Sequence, residues 1–317
     1  MNRSTGTYVI STTLGESVRA FVPHPLAPGE PGLQAAVYLD LNRQAELALA
    51  RLAGVAGLVP SVDWLLYSAI RKEALLTSQI EGTQATLADL FDEEAGFKVS
   101  NTEDLEEVTN YLRAFRWVQE QIRDPKGLPI SVRLLCEAHR LLLNGARGAG
   151  KQPGELRRSQ NWIGGTRPGN AVFVPPPPEH VSELLANLER FIHDSATDLP
   201  PLVRVALIHA QFETIHPFLD GNGRIGRLLI AALFEHWGLL AEPLMYLSGY
   251  LKQYQAEYYR RLSNIRTEGD WEHWVSFFLE GVATAAGDAE KSIIEVASLV
   301  AAHRKRLLQS PKAGPAS

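Results

Sequence analysis

Only one of the 317 residues is cysteine, so neither a disulfide framework nor a cysteine-built zinc site can organise this chain. That residue, Cys136, falls in the apolar-periodic run "SVRLLCEAHRLLL", where a small buried side chain is expected rather than a reactive thiol. Long apolar runs are missing as well. Stretches such as "LLIAALF" fall far short of the roughly 20 residues a membrane helix requires, and Met1 opens onto "NRSTGTYVIS" without the apolar stretch of a signal peptide. No membrane association and a cytoplasmic location are expected. Nor does one sign of charge dominate: 31 lysines and arginines stand against 36 aspartates and glutamates, so nucleic acid is not an expected partner. No period of roughly 20–50 residues recurs, which argues against a solenoid.

What remains is a globular chain, 45% hydrophobic, whose apolar residues mostly keep helical spacing. Ser61 can cap a helix carrying Leu65, Ala69, Leu76 and Ile80 on one side, with Gly82 as its stop. Thr102, Glu103 and Asp104 open another, with acids in the first turn where the helix dipole favours them. A third runs from Ser131 to Asn144 and Gly145, a fourth from Leu202 to Thr214, and a fifth from Arg224 to Trp237, stopped by Gly238. Further helices fit "YQAEYYRRLSNIR" and the stretch from Asp270 to Leu308. One region breaks the helical period. "RRSQNWIGGTRPGNAVFVPPPP" offers two short strand-like runs around a glycine- and proline-rich turn, a β-hairpin that is either a surface excursion or a flap. The last residues, "SPKAGPAS", read as a disordered tail.

Chemistry concentrates in "HPFLDGNGRIGR", His216 to Arg227. Pro217 forbids simple continuation of the helix before it, and Gly221 and Gly223 bracket Asn222 in a sharp bend. The next helix starts there, so its unpaired amides and the positive end of its dipole make a nest for an anion. Arg224 and Arg227, three residues apart on that helix, can converge on neighbouring phosphates. Asp220 beside them is the single hard oxygen ligand with which Mg²⁺ is commonly held against substrate phosphates. His216 can take a proton from an attacking hydroxyl near neutral pH. A transition-metal site built from His209, Glu213 and Asp220 is disfavoured, because no zinc-ligand spacing is present and the arginines repel a dication.

At every fixed position this run resembles HPFx(D/E)GNGRxxR, the signature of Fic-domain proteins, whose members mostly transfer AMP from ATP to a hydroxyl side chain of a target protein. "EVTNYLRAF", "LCEAHRLLLNG", "GELRRSQNWIGG" and "VFVPPPPEHV" also look like the family, from about residue 60 to about residue 285. The resemblance implies a mainly α Fic fold: a helical bundle with one β-hairpin flap over the active site. It implies an N-terminal helical region over 1–125, a catalytic domain over 126–285, and a C-terminal helix and tail over 286–317. Carried over, His216 is the base and Asp220 holds Mg²⁺. Gly221, Asn222, Gly223, Arg224, Ile225, Gly226 and Arg227 form the phosphate-binding stretch for ATP.

Gly223 stands where relatives that phosphorylate their targets carry lysine, which favours AMP transfer. The hairpin from Arg158 to Val174 would pair with an extended segment of a target protein. Upstream, "TSQIEG" fits the inhibitory pattern (S/T)xxxE(G/N), so that Thr77, Glu81 and Gly82 imply a brake in which Glu81 pairs with Arg227. Tyr250, Tyr258 and Leu262 are candidates for the adenine pocket, and a homodimer is suggested by the family. A Fic-type transferase of another group, a de-AMPylase and a non-catalytic nucleotide-binding regulator are the other readings.

Overall fold

The structure, a computed structural model, describes residues 3–58, 61–145 and 149–309; the expected tail "SPKAGPAS" lies outside them. Among the described residues there are eleven α-helices and one antiparallel strand pair, β1 (Gly6–Thr13) and β2 (Glu16–Pro23). No described helix is long and apolar enough to cross a membrane. The expected mainly helical architecture with one hairpin is what the chain adopts.

The centre is α7 (Pro201–Ile215), started by proline at its first turn, where a missing N–H costs nothing. Its sequence "PLVRVALIHAQFETI" is apolar nearly all round, and every residue from Val205 to Ile215 is buried, as a helix without a polar face requires. The long α11 (Trp271–Gln309) crosses it, and the buried Trp274 indole N–H donates to the Ala206 carbonyl at 2.8 Å. α1 (Ala35–Val55) lies along α11, while α8 (Asn222–His236) packs beside α7. α4 (Thr102–Arg123) and α5 (Val132–Leu142) pack against α8 from the other side. The main core among the described residues runs from Tyr38 to Ile293. The regions expected to divide at residues 125 and 126 therefore share one hydrophobic interior.

Local signals set the helix ends. The Ser61 side chain accepts from the Asp63 amide at the start of α2 (Val62–Ile80), and Ser131 accepts from Leu134 at the start of α5. Gly82, at φ 104°, ends α2 in a conformation that favours glycine.

The ladder sits at the N-terminus, where no strand is expected from the sequence. β1 and β2 pair in full register around Leu14 and Gly15, both at positive φ, as a tight two-residue hairpin requires. The expected hairpin over Arg158 to Val174 is held differently. Its two arms reverse but share one bridge, Ile163 with Phe173, closed by Ile163 N–H to Phe173 O at 2.8 Å. Gly164 and Gly165 turn the chain at positive φ, and the Asn170 carboxamide ties the tip to the amides of Thr166 and Arg167 at 3.0 Å. The departing arm turns to β2, where the Phe21 amide donates to Val174 O at 3.0 Å. A small second core of Val18, Ala20 and Val174, with Trp162 and Ala171 against it, joins flap to hairpin. Arg167 also pairs with Glu16.

Phe21, 2% exposed and packed edge-on against Tyr8 with Phe173 beyond, holds this junction. Phe21→Ala should cost about 3 kcal/mol in a urea melt and speed amide exchange at residues 163–174. A flap as protected as in the unaltered protein would contradict the anchoring.

Candidate active site

α7 ends at His216, which takes a left-handed conformation at φ 51°, ψ 61°. A non-glycine residue there is strained by roughly 1 kcal/mol, so neighbours must hold it. Arg157 does: it is 2% exposed, and it donates to the carbonyls of His216 at 2.8 Å, Pro176 at 2.5 Å and Ile215 at 3.3 Å. Its own amide donates to Pro217 O at 2.9 Å. Burial lowers its pKa to about 10, with the Glu179 carboxylate only partly offsetting it. The turn beyond is closed by Asn222, whose side chain accepts from Phe218 N–H at 2.8 Å and donates to Phe218 O at 2.9 Å. Gly221, the residue before Asn222, stands at φ 75° and caps α8, so the amides of its first turn face outward without intrahelical acceptors.

His139, from α5, is a second brace. Its Nδ1 accepts from the Gly154 amide at 2.9 Å, which leaves the proton on Nε2 to donate to Asp220 O at 3.0 Å. Its ring stacks on Phe218 with centroids 3.8 Å apart. Neither Arg157 nor His139 is expected from sequence, because each acts on backbone carbonyls far away in the chain.

A cleft of about 490 Å³ opens over this bend. Its floor includes Glu213, His216, Gly223 and Arg227, its roof is the flap at Trp162, Ile163 and Phe173, and one wall is α10 (Gln255–Glu268). The His216 Nδ1 lies 3.3 Å from Glu213 O. A carbonyl only accepts, so Nδ1 carries the proton and Nε2 keeps its lone pair. Burial, with Arg157 second, lowers the His216 pKa to about 4; the ring is neutral at pH 7 and able to accept a proton.

Glu81 lies in the nest. Its carboxylate accepts from Arg227 Nη2 at 2.5 Å, and a Cβ placed on Gly223 would fall 2.3 Å from Glu81 Oε1. Only glycine at 223 lets the carboxylate settle there undisturbed. Thr77, one turn back on α2, completes the grip: its hydroxyl accepts from Arg227 Nε at 2.6 Å and its carbonyl from Nη2 at 3.1 Å. The Arg227 side chain is 2% exposed and that of Glu81 is 34%, so the cation is sealed while the anion faces the cleft. Burial opposes ionisation of both, but the pair outweighs it, lowering the Glu81 pKa and raising that of Arg227. Gly82 ends the helix just after this contact.

The other expected residues divide. Arg224 reaches Glu107 at 2.9 Å rather than converging with Arg227. Ile225 is buried in the core, and Gly226 faces α7, its carbonyl 3.1 Å from His209 Nδ1, so these two positions serve helix packing. Tyr258 and Leu262 line the cleft, joined by Tyr259. Tyr250 does not: it sits on α9 (Leu247–Gln253) against Tyr254 and Phe277, because it belongs to another helix than the one that walls the cleft. His209 bonds the Tyr258 hydroxyl at 2.8 Å, a packing role.

No group of three or more metal-ligating side chains is found among the described residues. The donor set fits Mg²⁺ only in the form a nucleotide allows. The Asp220 carboxylate is 46% exposed; its Oδ1 accepts from Gly221 N–H at 2.6 Å and lies 3.6 Å from Arg224 Nη2, while its second oxygen has no hydrogen-bond partner among the described residues, which suits one carboxylate ligand completed by phosphates and water.

Comparisons with known proteins return one family. The description "Fic/DOC family N-terminal" matches residues 39–120 and "Fic/DOC family" matches residues 129–234. The chain is 27% identical over 208 residues to Protein adenylyltransferase Fic of Drosophila ananassae, covering 64% of this chain and 38% of that protein. With Protein adenylyltransferase fic-1 of Caenorhabditis briggsae it shares 30% identity over 172 residues, 54% of this chain and 31% of that protein. The chain thus spans less than two fifths of the length of these curated relatives. Among solved structures, a Fic family protein from Desulfovibrio desulfuricans superposes with a TM-score of 0.69 at 24% identity, over 83% of this chain and 77% of that one. Fic-1 from C. elegans gives 0.64 at 22%, over 84% and 74%.

The buried histidines give the fold a pH signature. Burial lowers His139 and His216 to about 4 and His209 to about 3. The unfolded chain takes these protons near pH 6.5 and the folded one does not, so stability is lost as pH falls from about 6.5 toward 4. Glu213, raised by burial to about 7, works the other way, as does the buried Glu73, but three histidines outweigh two carboxyls. Urea unfolding at pH 5 should show a net loss on the order of 1 kcal/mol relative to pH 7; equal or greater stability at pH 5 would refute this burial pattern.

Proposed function

The chain belongs to the Fic/DOC family, and from that premise and the geometry above we propose that it transfers AMP from ATP to a serine, threonine or tyrosine hydroxyl of a target protein. The observation that carries this reading is a neutral His216, lone pair on Nε2, in one cleft with the α8 anion nest and a buried Arg227. In the proposed reaction the target oxygen bonds to the α-phosphorus, the bond from that phosphorus to the β-phosphate oxygen breaks, and pyrophosphate leaves. The hydroxyl proton passes to His216 Nε2. The first-turn amides of α8 hold the phosphates, and Arg227 receives the terminal one. Asp220 would hold Mg²⁺, which supplies neutralisation of phosphate charge. The target segment lies along the flap from Arg158 to Val174, where main-chain bonding positions its hydroxyl.

The same contacts support a resting state that is switched off. Glu81 places negative charge where a terminal phosphate would lie, and it occupies the arginine that would bind it. Gly223 supports AMP rather than phosphate transfer, since no lysine stands at the nest.

The test uses ATP labelled at either the α- or the γ-phosphate, with Mg²⁺, and follows protein-bound label. Glu81→Gly should incorporate α-label about 10-fold or more faster than the unaltered chain, the scale of releasing one charged hydrogen bond. Adding His216→Ala should slow it by about 10²–10⁴-fold. Label from the γ-phosphate, or equal labelling with and without Glu81, overturns the proposal.

A further inference from the structure

The two arginines of α8 are held in different ways. Nε and Nη2 of a guanidinium form one edge, which can grip a phosphate through two parallel hydrogen bonds. In Arg227 that edge is filled from α2: Nε donates to the Thr77 hydroxyl, and Nη2 to the Thr77 carbonyl and the Glu81 carboxylate. Arg224 is gripped from the other side. Glu107, on α4, accepts from its Nη1 at 2.9 Å. Its Nε is buried without a hydrogen-bond partner among the described residues, and its Nη2 lies 3.6 Å from Asp220 Oδ1, outside hydrogen-bond range.

A buried donor without an acceptor is costly and rare. This one belongs to a side chain that lines, with Glu107, Asn110 and Asp220, a hollow of about 130 Å³ through which an acceptor can enter. Beside the carboxylate that suits Mg²⁺, the fitting acceptor is a phosphate oxygen. An arginine side chain has several rotatable bonds, so a partner must fix its direction. Glu107 is suited to that, being 18% exposed and on a helix tied at both sides of it. Three residues earlier, Asp104 accepts from the Gln84 amide at 2.6 Å; three residues later, Asn110 donates to the Asn144 carbonyl at the end of α5. Glu107 and Asn110 both belong to the run "EVTNYLRAF", and α4 packs directly on α8.

We propose that Glu107 is a positioning residue: it pins Arg224 by Nη1 so that the Nε and Nη2 edge meets a nucleotide phosphate held beside Asp220. It differs in kind from Glu81. Glu81 takes a donor on the edge that a phosphate would use, whereas Glu107 takes the donor on the opposite side and leaves that edge for the ligand. The proposal rests on the reading of the cleft as a nucleotide site.

The test is calorimetric binding of ADP and of AMP, with Mg²⁺, to Glu81→Gly with and without Glu107→Gln, a change that keeps the shape and an acceptor but removes the charge. Glu81→Gly should prefer ADP over AMP. Glu107→Gln should shrink that preference about fivefold, the difference between a charge-assisted and a neutral hydrogen bond, and leave AMP binding as it was. Once Arg224→Ala is present, Glu107→Gln should change nothing further. Equal loss for ADP and AMP, an unchanged or absent ADP preference, or an effect that persists without Arg224 overturns the proposal. A larger ADP preference in Glu107→Gln also overturns it, because Glu107 would then compete with the phosphate. If neither nucleotide binds to Glu81→Gly, the nucleotide reading fails first and this one with it.

Discussion

Much of the site follows from one buried cation. Arg227 lies on α8 with its side chain closed to water, and a guanidinium in that position must be surrounded by acceptors or it destabilises the fold. Thr77 supplies a hydroxyl and a carbonyl, and Glu81 a carboxylate, all from the last turn of α2. The need to satisfy Arg227 thus fixes where α2 ends relative to α8. It also leaves one of its partners, Glu81, on the open side, where a phosphate can compete for the same donors. In the proposed reading, that contest for Arg227 is the brake.

The second constraint is the left-handed His216. Its strain persists because Arg157 binds the carbonyls on either side of the bend and Asn222 and His139 clamp the loop beyond. The same arginine reaches Pro176, just after the flap. The His216 bend and the segment after the flap are therefore tied through a single buried side chain, and the N-terminal hairpin adds an anchor from behind through Phe21 and Val174.

Legibility in the sequence follows the range of the interactions. The bend from His216 to Arg227 reads directly, because proline and glycine there dictate backbone shape within a few residues. The pattern from Thr77 to Gly82 is visible too, but its partner lies 146 residues away from Glu81, and only packing of α2 on α8 joins them. Arg157 escapes notice because a buried arginine is rare and its partners are carbonyls, which leave no trace in side-chain pattern. β1 and β2 are overlooked although "TYVISTT" is rich in β-branched residues, since Leu14 and Gly15 are not the usual Asn-Gly turn. Tyr250 is an aromatic near the right helix in sequence, while Tyr259 and Arg266 share the helical face that lines the cleft; periodicity within α10 separates them, and proximity along the chain does not.

The central claim is that Glu81 competes with a terminal phosphate for Arg227. It is tested most directly by the ratio of ATP to ADP affinity, measured by calorimetry with Mg²⁺ for the unaltered protein and for Glu81→Gln. If Glu81 holds Arg227, the unaltered protein should bind ATP and ADP nearly alike, and the variant should prefer ATP by about tenfold, the scale of one charge-assisted contact regained. The same ATP to ADP ratio in both proteins would contradict it.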